Sequence, residues 1–464
     1  MNVHGTIVNV HEDTYRRIIK KKGYLGRYVR DKAKGEYAMK EKRRVVVSLV
    51  LLIVMACSFT GLFAQGKTEV GSSDKIIIET FSDLFPEYWM EALEKKGLAD
   101  KVELRMVPQN QYENKIRMMI AGGEVGDIIC IDAPNIGYYA EMNALENLDS
   151  YWDREDFNDL VGSAQSAMQW DGKIWASPLN EANCVLYYNR EMFREAGIVA
   201  PTKYADAWTL DELLQAAIKL TKRDKSGNVE VYGLFPQMFS VDNRNEGMTF
   251  TQMLWTWWFG ADIISPDGKT VDGYFNSPES KAALQFYADL FNKYEVSPSI
   301  SMNNPLASGR AAMYINGPWM VGTWQNNFPE FYNGKWGAMP LPKGKMEASN
   351  SGSWNLAITR QSKNKDLAWE VISAITDTEG SYIYCSNTGN LPARESTLAI
   401  SDMSKPPYDI IKDQLIHTAK SRPVSPVYPK ISEALMDAFN SVAFGESVDV
   451  AFNEAVSKMN AALK

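Results

Sequence analysis

Cysteine and histidine are scarce in this chain. Of its 464 residues, four are cysteine and three are histidine. No CxxC, no HExxH and no His/Cys cluster occurs among them, so the ligand spacings that transition-metal catalysis needs are missing. Positive charge is also short: 49 Lys and Arg stand against 57 Asp and Glu, a net charge of −8. There is no internal repeat and no low-complexity stretch beyond a short linker near 65–74. Nor does any signature bring two carboxylates together, as a glycoside-cleaving pair would require.

One long apolar run is present. "VVVSLVLLIVMACSFTGLFA" (Val45–Ala64) carries no charge and follows "MKEKRR" (Met39–Arg44). A basic segment, an apolar segment and a small residue at the break read as an export signal over 39–64, cut after Ala64. An uncleaved membrane anchor is the first alternative, since about 20 apolar residues span a bilayer. Lipid attachment at Cys57 within "VMAC" is the second. Against lipidation, the "SFTGLFA" that follows Cys57 is apolar where a tether is usually polar. Residues 1–38 are basic and precede a natural start at Met39, which reads as an over-extended translation start. The other reading is a basic extension with affinity for nucleic acid or lipid.

Without residues 1–64 the chain holds 36 basic and 52 acidic residues, net −16. Binding to a phosphate backbone needs concentrated positive charge, so no nucleic-acid role is expected of the exported part. A neutral or cationic ligand is compatible. Cys130, Cys184 and Cys385 remain, an odd number with apolar neighbours, and read as buried free thiols. His417 is the remaining histidine. No metal and no cofactor is expected.

The length predicts two or more lobes, because single cores stop growing near about 250–300 residues. "KIIIETF" (75–81), "VELRMV" (102–107) and "DIICI" (127–131) read as strands. They alternate with helical patterns over 84–97, 110–123 and 134–145, which implies βαβ units on a parallel sheet. Ligands of such sheets bind beyond the carboxyl ends of the strands, where Thr80, Ser82, Asp83, Asp132 and Asn135 lie. Further on, "TLDE" (Thr209–Glu212) is a capping box and "SPES" (277–280) puts Pro in a first helical turn. "KNKDLAWEVISAITD" (363–377) is an amphipathic helix. In "GRAAMYINGPWMVG" (309–322) an apolar run stops at Asn316-Gly317-Pro318, a strong turn signal, and Trp319 follows at once.

The order "VLYYNREMFREAG", "WTLDELLQAAIKLTK", "SGRAAMYINGPW", "WGAMPLPKG" and "SGSWNLAITRQSKNKDLAWEVI" resembles the family 1 extracellular solute-binding proteins, the receptors of carbohydrate ABC importers. The similarity covers about 65–464. The resemblance implies an α/β fold of the two-lobe periplasmic-binding-protein kind, each lobe a βα sheet domain, joined by a multi-crossing hinge. Mapped by motif, 65–73 is a linker, lobe 1 takes 74–181 plus 341–385, and lobe 2 takes 186–337 plus 390–464. Crossings are expected near Ala182–Val185, Met339–Leu341 and Thr388–Leu391. The implied function is capture of a sugar or oligosaccharide in an interlobe cleft and delivery to ABC transporter permease subunits, by a periplasmic monomer without enzymatic activity.

Sugars present apolar C–H faces and rings of hydroxyls, so their receptors want aromatic planes beside carboxylate, amide and guanidinium groups. Trp319 is the leading candidate, because the family's tryptophan behind this turn stacks on a sugar ring. Trp354 in "SGSWNL" and Trp255 and Trp258 in "LWTWWFG" are further candidates. Polar candidates are Asp132 and Asp83 at strand ends, Glu181 and Asn183 at the first crossing, and Arg422 with Tyr428 in the Pro-stiffened "KSRPVSPVYPKISEAL". Pro134-Asn135 stands where maltodextrin receptors carry an acidic-basic pair, which argues against maltose specifically. The rival readings are a polyamine or ferric-ion receptor, the latter through Tyr187-Tyr188, and a glycoside-acting enzyme.

Overall fold

The computed structural model describes residues 75–464, apart from residue 240, residues 242–245 and residue 353, so the expected leader and the whole linker lie outside the described residues. In chain order, the strands that frame the molecule are β1 (Ile76–Thr80), β2 (Val102–Met106), β3 (Ile128–Asp132), β4 (Val185–Asn189), β5 (Val229–Phe235), β6 (Ala311–Asn316), β7 (Trp336–Met339), β8 (Ser349–Ser351), β9 (Trp354–Ile358) and β10 (Ala419–Ser421).

The first sheet runs β2–β1–β3–β9 and is closed by the two-residue strand Ser177–Pro178. β1 pairs in parallel with β2 and β3, as the βαβ pattern predicts, through helices Glu87–Lys95 and Tyr112–Gly122. β9 instead runs antiparallel to β3, with Trp354 opposite Asp132. It arrives from a segment that has first visited the other sheet, so no crossover helix dictates its direction. Ile78, Ile129, Ile131 and Leu356 pack here with Trp89 and Tyr384 in one core.

The second sheet runs β7–β4–β6–β5, edged by Lys222–Arg223. β4 is antiparallel to β6 and β7, and β6 is parallel to β5. Side chains alternate across a strand, so Leu186, Met313 and Ile315 enter one core while Val185, Tyr187 and Tyr314 enter another on the opposite face. Tyr187 donates to the Gly317 carbonyl and Tyr188 packs on Phe193. The adjacent tyrosines that suggested a ferric site are thus directed to different faces. The expected helix starts are present: Thr209 and Glu212 form a reciprocal capping box, and Ser277 caps the helix that Pro278 opens.

Between the sheets lies a polar hinge. β8 pairs with β10, and single bridges join Glu181 to Leu391 and Asn183 to Ser351. Two of the expected boundaries shift. Leu341 and Ala348 still belong to the second core, and the Trp258 indole donates to the Ala348 carbonyl at 2.9 Å. The chain therefore returns at 349–352 and not near 339–341. Residues 393–396, expected in lobe 2, lie against the first lobe: Arg394 donates to Asp156, Asp159 and the Thr376 carbonyl, and the Ala393 carbonyl accepts from the Val161 amide. Cys130, Cys184 and Cys385 are buried and free, and burial pushes each thiol up to about 12. Among the described residues no helix is long and apolar enough to cross a membrane.

Candidate functional site: the interlobe cleft

A cleft of about 640 Å³ opens where the carboxyl ends of β1 and β3 face the carboxyl end of β6. This is the crevice position that α/β sheets favour for ligands. Two indoles mark its sides. β6 ends at Asn316, whose side-chain oxygen accepts from the Gly317 amide at 2.7 Å, and helix Trp319–Asn327 begins after Pro318. A Cβ on Gly317 would stand 2.1 Å from the Trp319 ring. Only glycine lets the indole fold back over the turn. Trp319 is half-buried, with Phe250 beside it at 6.3 Å between ring centres.

Trp354 opens β9 on the opposite side and is also half-buried. Phe81 meets it edge-on at 5.0 Å and Tyr112 at 6.4 Å, both buried. Each indole therefore offers a surface to the cleft while its orientation is set by rings packed against it.

The charged part of the wall centres on Arg422, just beyond β10. Its guanidinium donates to both carboxylate oxygens of Asp132 at the end of β3, and to Glu246 at 3.1 Å. Phe250 lies 4.9 Å from it in cation–π geometry. Burial works against the Arg422 charge, but Asp132 and Glu246 outweigh it and hold the guanidinium protonated beyond its usual range. Burial raises the Glu246 carboxyl despite Arg422, Ser432 and Tyr428. Behind this wall, on helix Tyr112–Gly122, burial pushes the Glu113 carboxyl up to about 7; one of its oxygens accepts from Tyr139 while the other is buried without a partner.

The cleft brings together Asp83, Asp132, Trp319, Trp354 and Arg422 from the expected set. The other five are placed elsewhere. Trp255 and Trp258 are fully buried in the second core, because only the first turns of helix Glu246–Trp258 reach the cleft. Glu181 and Asn183 point into the hinge. Glu181 accepts from Ser163, Ser351 and the amides of Ala182 and Gly352, and burial still raises its carboxyl. Asn183 donates to Ser349 and the Asn350 carbonyl. Tyr428 is buried with its hydroxyl on Glu246, so it holds a wall residue and does not line the cleft.

Sequence reasoning missed Asn180, Glu246, Phe250, Asn316 and Asn390, all of which line the cleft. A signal existed for two pairs. Glu246 and Phe250 stand four apart, on one helix face. Asn180 and Ala182 line the cleft where Glu181 and Asn183 do not, the alternation of an extended segment.

The chain matches the model of the bacterial extracellular solute-binding proteins over residues 89–408. It belongs to that family. A Brucella abortus (strain 2308) protein named only as a binding protein is 23% identical over 383 residues, covering 81% of this chain and 88% of its own. The arabinooligosaccharide-binding protein of Bacillus subtilis (strain 168) is 22% identical over 357 residues, 73% of this chain and 77% of that one. Among solved structures, an ABC transporter solute-binding protein from Thermotoga lettingae, bound with α-D-tagatose, superposes with a TM-score of 0.73 at 26% identity, covering 84% of this chain and 99% of that one. These relatives are binding proteins, and their two-lobe fold is the fold of this solute-binding protein.

Proposed function

We propose that the protein is an extracytoplasmic receptor that captures a sugar or oligosaccharide between its lobes and delivers it to the permease of an ABC importer. The observation that carries this reading is the pair of half-exposed indoles, Trp319 from the second lobe and Trp354 from the first, on either side of one cleft. Each supplies an apolar plane for a sugar face. The amides of Asn180, Asn316 and Asn390 between them suit the hydroxyl rim. The sugars bound by the Thermotoga protein and named for the Bacillus protein support the same class. The family's extracellular description agrees with export through the 39–64 signal, with a mature start near Gln65.

A thermal-shift screen of mono- and oligosaccharides tests the reading, because a ligand that binds only the native state raises the melting temperature. At a ligand concentration about 100-fold above Kd the gain is about 2.7 kcal/mol, a shift of several degrees. We expect at least one sugar to produce it. A response to polyamines alone would replace the sugar reading with the cationic-solute one.

A further inference from the structure

Charged groups reach the cleft very unevenly. Among the described residues, Asp83, Asp132 and Glu246 line it as acids and Arg422 as a base. That base is already committed, gripping Asp132 through two nitrogens and Glu246 through one of them. Among the described residues, Asp83 has no cation partner. It sits exposed in the turn after β1, and its recorded partner is the neighbouring Ser82 hydroxyl at 3.0 Å.

A second observation points the same way. Asn180 is 3% exposed and lines the cleft; its amide nitrogen donates to the Glu181 carbonyl and to Asn390, while its oxygen is buried with no partner. A buried acceptor of this kind costs free energy until a donor reaches it. Among the described residues the cleft therefore carries more acids than bases and, at Asn180, a buried acceptor that lacks a donor.

We propose that the cleft selects its sugar by charge, taking rings that bear hydroxyls or protonated amines and rejecting rings that bear carboxylates, with Asp83 as a discriminating residue. The proposal rests on the sugar-receptor reading and narrows it. A carboxylate entering the cleft would meet like charge at Asp83, and the two terminal nitrogens of Arg422 could take it only by releasing Asp132 and Glu246, leaving acids unpaired; the third, Nε, has no partner among the described residues but is buried out of reach. An ammonium would find Asp83 and the faces of Trp319 and Trp354, which attract cations. Because Asp83 is exposed, its share is modest, about fivefold for a charge some 4 Å away in a water-like medium.

The test is calorimetric titration of the whole exported protein with matched neutral, amine-bearing and carboxylate-bearing mono- and oligosaccharides in the gluco, galacto and manno configurations. In the configuration that binds, the acidic member should be at least about tenfold weaker than the neutral one. Asp83→Asn should lower the amine-to-neutral affinity ratio about fivefold, whatever it does to the neutral affinity itself. An acidic member that binds as tightly as its neutral counterpart would overturn the charge proposal and leave the sugar reading intact. An unchanged ratio in Asp83→Asn would remove Asp83 from it. Failure of every sugar in every configuration would overturn the sugar reading itself, and this proposal with it.

Discussion

A half-exposed indole at the start of a helix would ordinarily be free to swing, and ordering it would draw on the energy of binding. Over Gly317 the Trp319 ring is held by the turn beneath it and by Phe250 beside it. Trp319→Ala should therefore cost affinity, on the order of 1–3 kcal/mol as for an interface aromatic. Being half-buried, the ring should contribute less stability than the roughly 3–5 kcal/mol of a core tryptophan. Gly317→Ala puts a methyl into the ring's place and should lose most of the same affinity. The double variant should be little worse than either single one, because the two changes act on one contact. Calorimetry for binding and melting for stability separate the outcomes: a Trp319→Ala protein that melts far lower yet binds normally would make the ring a mere buttress. Glu113 offers a second test at this scale. Its carboxyl is pushed from 4.5 up to about 7, chiefly by burial. The native state then holds that proton more tightly than the unfolded chain, so this stability is complete below about pH 4.5 and is lost as pH rises through about 7. Glu113→Gln keeps a neutral acceptor for Tyr139. It should flatten the decline between pH 5 and 8 and gain on the order of 1–3 kcal/mol over the parent at pH 8. Denaturant melts across that range would show it, and an unchanged slope would mean that Glu113 titrates as an ordinary surface acid.

Elements differ in how much of themselves the sequence exposes. β1 and β3 were legible as β-branched runs and β2 as an apolar–polar alternation, each bounded by helical patterns, and the Asn316-Gly317-Pro318 turn because glycine frees the backbone there and proline withholds a donor. The same reading placed Asp83 and Asp132 in the cleft from their positions beyond strand ends. It failed where the side-chain direction depends on tertiary context. In the crossing segment 180–183 the alternation is legible, but an amide stands on each parity, so nothing local says which one faces the ligand, and the choice of Glu181 and Asn183 fell on the hinge side. In helix Glu246–Trp258 the aromatic density drew attention to the wrong end. Trp255 and Trp258 fill the second core because the helix dives inward, and its less conspicuous first turns meet the cleft. Tyr428 and Arg422 are close in sequence but play different parts, since the guanidinium lines the wall and the phenol only steadies Glu246 behind it. Partners distant in sequence, such as Asp132 and Arg422, carry no local mark of their pairing.

For the whole molecule, the cleft draws its walls from both sheets, while the chain between them passes through the short segments 180–184, 349–352 and 388–392. Few residues need to change dihedral angle for one lobe to rotate on the other, which is the anatomy of hinge closure. The hinge is also well bonded internally: Asn350 accepts from the Cys184 amide and donates to the Phe250 carbonyl, and Gln414 donates to Asn183 and the Cys184 carbonyl. Such a hinge favours rigid lobes that move about it over a gradual loosening. A ligand shifts the lobes only as far as it binds one arrangement better than another. On the proposed reading Trp319 and Trp354 would supply that difference, because a single ring could touch both indoles only when the lobes stand close. Solution scattering of the exported protein, ligand-free and saturated with its sugar, should therefore give a smaller radius of gyration with ligand bound. In Trp319→Ala, at a sugar concentration raised until binding is again saturated, the decrease should be smaller, because one of the two walls has lost its grip. An identical profile with and without ligand in the parent protein would mean that the cleft is a fixed groove and the crossings a static joint.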